Sequence, residues 1–191
     1  QTALDSLVEG DTLTFPQGTY LVSSTLTLST DNVSLLGPGT LKESQQLDRT
    51  ILVTSAENVV VDGLRFESVE TEATWNAETT LQRQQFKAFV EMSLCTNPVV
   101  RNVYSSGKRG TVFYNVCTYG FVGNVRHEGF LTSIDTVQPD ANFYAVVHVT
   151  GGEKNQVSSV RTRRVGSAVL GGGETDSLTI SDVTVENAHD N

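Results

Sequence analysis

The chain has no long apolar run, few aromatics, little cysteine and a deficit of positive charge. Its 191 residues carry 13 Lys and Arg against 22 Asp and Glu, for a formal net charge of −9 and a pI near 4.7. That balance argues against nucleic acid as a partner, because nucleic-acid binders cluster Lys and Arg on one face. It argues equally against an anionic membrane surface. No apolar stretch approaches the roughly 18 residues that mark a membrane-spanning helix, so membrane insertion is not expected. A single Trp, four Pro and a hydrophobic fraction of 38% leave a lean composition rich in Val, Thr, Ser, Gly and Asn. Helical periodicity is scarce as well, and no amphipathic helix separates one apolar run from the next.

What the chain does have is a repeat. Asn58-Val59-Val60-Val61-Asp62-Gly63-Leu64-Arg65-Phe66-Glu67-Ser68 reads as a short apolar strand, a bend at Asp62-Gly63 and a second short strand. The same pattern aligns on positions 37, 63, 102, 124, 159 and 182, at spacings of 26, 39, 22, 35 and 23 residues. A repeat of about this length, built of strand and turn signals without helices, is the signature of a β-solenoid. The expected fold is all-β, a parallel β-helix of ~22-residue coils. A narrow stacked core explains the low hydrophobic fraction.

Several columns follow from stacking the coils. Asn32, Asn58 and Asn97 fall five residues before the aligned position, where stacked amides can hydrogen-bond and tolerate a left-handed turn; Tyr119, Lys154 and Ser177 continue that column. Cys95 and Cys117 lie one repeat apart in a column of small residues with Ala56, Gly152 and Thr175. Strands spaced ~4.8 Å apart would place the two cysteines within disulfide range. Reduced, buried thiols in a tight corner are the reading adopted, and no His or third Cys shares the column to make a metal site. After each bend an inward apolar residue (Leu64, Val103, Val125, Val160, Val183) precedes Arg65, Tyr104, Arg126, Arg161 and Thr184. This second set is read as a solvated face. His127 shares a column with Phe66 and Val185 and is read as a core histidine. Gly171-Gly172-Gly173 is read as a tight corner, since no helix or phosphate-binding Lys follows it.

A further strand per coil is assigned to Ala88-Phe89-Val90, Val112-Phe113-Tyr114, Ala145-Val146-Val147 and Ala168-Val169-Leu170, taken as equivalent places. Two long insertions, about 69–86 and 128–144, then leave the same corner two coils apart. They are expected to form the walls of a cleft, the usual place for function on a rigid scaffold. Glu67, Glu128 and Asp135 are its candidate carboxylates, with Glu70 nearby. Arg163 and Arg164 are its candidate bases. Trp75, Lys108, Arg109 and Tyr144 are the candidate substrate contacts, a mixture of ring platforms and polar groups that suits a glycan. Glu67 and Glu128 fall in or next to one column two coils apart, or ~10 Å, slightly wide for the roughly 6.5–9.5 Å of an inverting glycosidase.

Residues 1–10 read as the end of a capping helix with Ala3, Leu4, Leu7 and Val8 on one face and Gly10 as its stop. Next come Gly10-Asp11-Thr12-Leu13-Thr14-Phe15-Pro16-Gln17-Gly18-Thr19-Tyr20 and Val33-Ser34-Leu35-Leu36-Gly37-Pro38-Gly39-Thr40. Over residues 1–67 this resembles the opening coils of the pectate-lyase-like right-handed parallel β-helix superfamily, which includes polysaccharide lyases, polygalacturonase-type hydrolases and bacteriophage tailspikes. The resemblance implies residues 11–191 as a β-helix domain of a longer chain. It implies recognition, with cleavage as an added possibility, of a host-surface or cell-wall polysaccharide, and a homotrimer or larger assembly on a virion tail or outside the cell. A non-catalytic structural or adhesion module is the alternative reading. The adjacent Asp-Asp and His-Gly pairs of the polygalacturonase-like members do not occur here, so no catalytic role is transferred. No cofactor is expected unless the protein is a lyase, for which the resemblance implies calcium.

Overall fold

The computed structural model describes residues 1–71, 73–74, 87–107, 110–129, 145–165, 167–173 and 175–186. After a single helical turn, α1 (Thr2–Asp5), the chain winds through seven stacked levels of strand. The first is β1 (Thr12–Thr14), β2 (Thr19–Val22) and β3 (Leu26–Leu28); the second is β4 (Ser34–Leu36), β5 (Thr40–Glu43) and β6 (Arg49–Thr54). The third is β7 (Val60–Asp62), β8 (Arg65–Glu67) and β9 (Ala88–Ser93). From the fourth level the first two strands fuse across the bend. This gives β10 (Val99–Ser106) with β11 (Gly110–Asn115), β12 (Phe121–Glu128) with β13 (Ala145–Thr150), β14 (Gln156–Arg163) with β15 (Ser167–Gly172), and finally β16 (Thr179–Glu186). Every strand pairing is parallel and joins one level to the next, in a ten-stranded sheet and a six-stranded sheet. The fold is a parallel β-helix.

The six aligned positions stack in register, from Leu36↔Asp62 through Ser158↔Ser181 one residue before them. Gly63, Asn102, Asn124, Ser159 and Asp182 all take positive φ, between 48° and 80°. The bend is therefore a left-handed residue once per coil, which Gly, Asn and Asp adopt at least cost. Leu35, Val61, Val100, Val122 and Val157 stack inward on one side of it, and Leu64, Val103, Val125 and Val160 on the other, each at most 2% exposed. Each buried side chain contributes roughly 1.5–3 kcal/mol.

Two expectations need correction. The helix stops at Asp5, with Leu4 buried but Ala3 and Val8 exposed. The Asp11 carboxylate accepts from the Val8 amide at 2.9 Å and draws the chain into a turn instead. The further strand also slips in register: Ala88 stands opposite Gly110, and Ala145 opposite Ser167, so the aligned inward column is Val90, Val112, Val147 and Val169. The error arose because residues 88–92 are buried at every position, which erases the two-residue alternation that sets a register.

Candidate functional site

The second half of the long sheet turns two outward columns to solvent. One runs Thr40, Arg65, Tyr104, Arg126, Arg161, Thr184. The other runs Lys42, Glu67, Ser106, Glu128, Arg163, Glu186. Period-two alternation forces this: Phe66, Ser105, His127 and Thr162 between them point into the core. A concavity of about 200 Å³ lies along Arg65, Asn102, Tyr104 and Arg126, and one of about 260 Å³ along Tyr104, Arg126, Glu128, Arg161, Arg163 and Glu186. They share Tyr104 and Arg126 and form one shallow groove parallel to the solenoid axis.

The two columns differ in charge. In the second, each acid has a cation: Lys42–Glu67 at 3.3 Å, Arg163–Glu186 at 3.3 Å, Arg163–Glu128 at 3.9 Å and Arg164–Glu128 at 4.0 Å. In the first, Arg65 lies 5.9 Å from the centre of the Tyr104 ring, and no carboxylate pairs with Arg65, Arg126 or Arg161 among the described residues. A chain of net charge −9 thus exposes an arginine stripe that no described carboxylate neutralises.

Glu67 and Glu128 do occupy one column, two coils apart, with Ser106 between them. Both are ion-paired, which suits neither a proton donor nor a free nucleophile in this conformation. Arg163 and Arg164 are those partners. The two insertions leave from the same corner, where Ser68 N donates to Ser106 O and Gly129 N to Arg163 O. Trp75, Lys108, Arg109, Asp135 and Tyr144 lie outside the described residues, as do most residues of the two expected walls.

Glu70 is no cleft acid: it is 3% exposed. It belongs to a buried node at the root of the first insertion. There Glu43, fully buried, accepts from Thr50 Oγ1 at 2.7 Å and Ser68 Oγ at 2.6 Å, while Gln46 Nε2 donates to Glu70 at 3.2 Å. Lys87, 6% exposed, closes the node at the returning end, 4.0 Å from Asp48. His127 is buried as expected, its Nδ1 within 2.8 Å of Ser105 Oγ and 3.2 Å of Thr111 Oγ1. His148 stacks on Phe113 at 5.1 Å, and burial lowers its pKa. No group of three His, Cys, Asp or Glu able to hold a metal is present among the described residues.

The amide column is a ladder. Asn58 Nδ2 donates to Asn32 Oδ1 at 2.9 Å and Asn97 Nδ2 to Asn58 Oδ1 at 3.1 Å, all three residues being left-handed. Where it leaves asparagine, Lys154 Nζ donates to Tyr119 OH at 3.2 Å and sits 5.0 Å over the ring. The Tyr119 hydrogen bond raises the Lys154 pKa. A second ladder at the bend, Asn124 to Asn102 and Asn102 to Asp62, both 2.8 Å, escaped sequence reasoning. Its signal was the Gly/Asn/Asp content of the aligned positions. Tyr104 and the arginines are legible in the sequence as a column, but spacing does not mark them as a site, because an outward column must hold something polar in any case.

No protein-family model and no curated protein sequence matches the chain. Among solved structures it is similar to a candidate glycosyl hydrolase from Parabacteroides merdae, with TM-score 0.69 and 15% identity over 92% of this chain and 83% of that one. The catalytic domain of a GH87 α-1,3-glucanase gives TM-score 0.60 and 13% identity over 83% of this chain and 26% of that one. An endo-xylogalacturonan hydrolase from Aspergillus tubingensis gives TM-score 0.59 and 14% identity over 98% of this chain and 69% of that one. At these identities the likeness is one of fold.

Proposed function

We propose that this protein recognises an acidic polysaccharide, laid along the solenoid axis in the groove of Arg65, Tyr104, Arg126 and Arg161. The observation that carries the reading is the column of arginines without carboxylate partners among the described residues. Arginine forks match carboxylate and sulfate groups, and Tyr104 offers a ring face to a sugar. Glycan-degrading neighbours of the same fold make a polysaccharide the favoured ligand class. The polymer is one on a host surface or in a cell wall, met outside the cell or at a virion tail, and the protein acts in a homotrimer or larger assembly; this part rests on the sequence resemblance alone. If the groove also cleaves its ligand, Glu67, Glu128 and Asp135 are the carboxylates to examine for hydrolysis, and Arg163 or Arg164 the base for a calcium-assisted elimination.

The test is titration of the protein with polygalacturonate, a sulfated glycan and neutral dextran by calorimetry. The acidic polymers should bind, more weakly as salt is raised, and Arg126→Ala with Arg161→Ala should remove that binding while the fold persists. Equal affinity for dextran, or no binding by the folded protein, overturns the proposal and favours a structural or adhesion module. Reducing-sugar release and unsaturated-product absorbance on the polymer that binds separate hydrolase, lyase and pure binder.

A further inference from the structure

Opposite the insertion corner, Cys95 and Cys117 close the ends of β9 and β11 at 2% and 0% exposure, as free thiols. The backbone locks them together. Thr96 bridges Thr118 one residue on, and Thr118 N donates to Cys95 O at 3.0 Å, so the two Cα atoms are one strand spacing apart, ~4.8 Å, inside the roughly 4.4–6.8 Å a disulfide spans. Cys117 Sγ reaches down the axis to Met92 O at 3.1 Å, into the coil that carries Cys95. The corner above is closed by Gly152, where any Cβ would meet Cys117 O at 1.8 Å, and by buried Asn155, which holds Cys117 O at 2.8 Å and Gly120 N at 2.9 Å.

We propose that this dithiol is an oxidative modification site, in which hydrogen peroxide converts Cys95 and Cys117 to an intramolecular disulfide that staples the third coil to the fourth. The Cys95 thiolate attacks the distal peroxide oxygen, the O–O bond breaks, and the leaving oxygen departs as water after taking a proton. The resulting sulfenic acid is attacked by Cys117 Sγ. The S–O bond breaks, its oxygen leaves as a second water with the Cys117 proton, and two sulfurs have been oxidised by one electron each. The surroundings assign the roles. Cys95 Sγ donates to Ser93 O at 3.3 Å and Cys117 Sγ to Met92 O at 3.1 Å; the neighbouring thiol brings the Cys95 pKa down to about 7, while that neighbour and burial push Cys117 up. Cys117 Sγ, which points down into the coil of Cys95, is the resolving sulfur, and Cys95, with its lowered pKa, the attacking one. This inference does not depend on the glycan reading.

The experiment treats the native protein with hydrogen peroxide and reads free thiols, intact mass and non-reducing peptide maps. The expected result is loss of both thiols together, a mass lower by two hydrogens, and a peptide link between Cys95 and Cys117 that dithiothreitol reverses. Thermal denaturation should rise by on the order of 5–10 °C in the oxidised form. The rate should climb as pH passes about 7, as Cys95 ionises. In Cys117→Ser, a dimedone adduct should collect on Cys95. Should that variant not fold, the wild-type mass and peptide map decide alone. Retention of both thiols under native conditions, oxygen added without a cross-link, or a cross-link only between molecules each overturns the proposal.

Discussion

The amide ladder and the arginine stripe obey one rule and use it in opposite ways. In both, identical or similar residues recur once per coil and meet their own kind ~4.8 Å away. Asparagine is a good neighbour to itself, because each side chain carries both a donor and an acceptor. Asn32, Asn58 and Asn97 form a continuous chain that also holds three left-handed corners. Arginine has five donors and no acceptor, so Arg126 beside Arg161 is a pair of like charges in register. A stack that stabilises itself is explained by the fold. A stack that repels itself is not, and it is this stack on an acidic chain that the proposed anionic ligand would complete.

The widest break in this contrast should come at the ladder side of the molecule, where the corners leave no room. Gly152 has φ +75°, and an added Cβ would meet the Cys117 carbonyl oxygen at 1.8 Å. Gly152→Ala should lower stability by about 3 kcal/mol or more, read as a shift of the urea midpoint. An unchanged midpoint would mean that the corner yields easily and that the stacking geometry is not rigid there. Asn155→Ala should follow at about 2–3 kcal/mol, because the buried Cys117 carbonyl and Gly120 amide both lose a partner. Asn58→Ala, at an exposed rung, should cost only about 1 kcal/mol through two lost amide bonds and a less tolerant left-handed residue. Equal losses for Asn155 and Asn58 would remove burial as the deciding variable.

The difference in legibility between the two regions has a physical cause. Columns made by the backbone could be read from residue spacing, because one coil sets the register of the next. The bend positions, the amide column, the cysteine pair and the shared column of Glu67 and Glu128 all followed from counting. Positions where burial is continuous could not be read this way: Ala88 and Ala145 share a column, but Val112 falls two residues and Ala168 one residue out of it. Glu70 was misplaced for another reason: spacing says nothing of a node assembled from Glu43, Thr50 and Ser68 across two coils. Site chemistry suffered most, since it depends on which charges are paired. Lys42 pairs with Glu67, and Arg163 and Arg164 with Glu128, and that is a matter of side-chain direction, not sequence.

The smallest effect is the most discriminating. Arg161 stands over Arg126 on a surface open to solvent, so their repulsion is screened and is worth at most a few tenths of a kcal/mol, roughly what exposed charge pairs contribute with either sign. Arg161→Gln keeps length and polarity but removes one charge. It should leave thermal stability unchanged or slightly raised, most visibly at low salt, where screening is weakest. Affinity for an acidic polysaccharide should meanwhile fall roughly fivefold, about 1 kcal/mol for one exposed charge contact. A solvated face predicts the first result without the second. A structural arginine, whose stem covers the strand edge, predicts a loss of stability. Only a ligand-binding arginine separates the two quantities, with stability held or raised while binding is lost, and parallel melting and titration of this one variant at two salt concentrations read both.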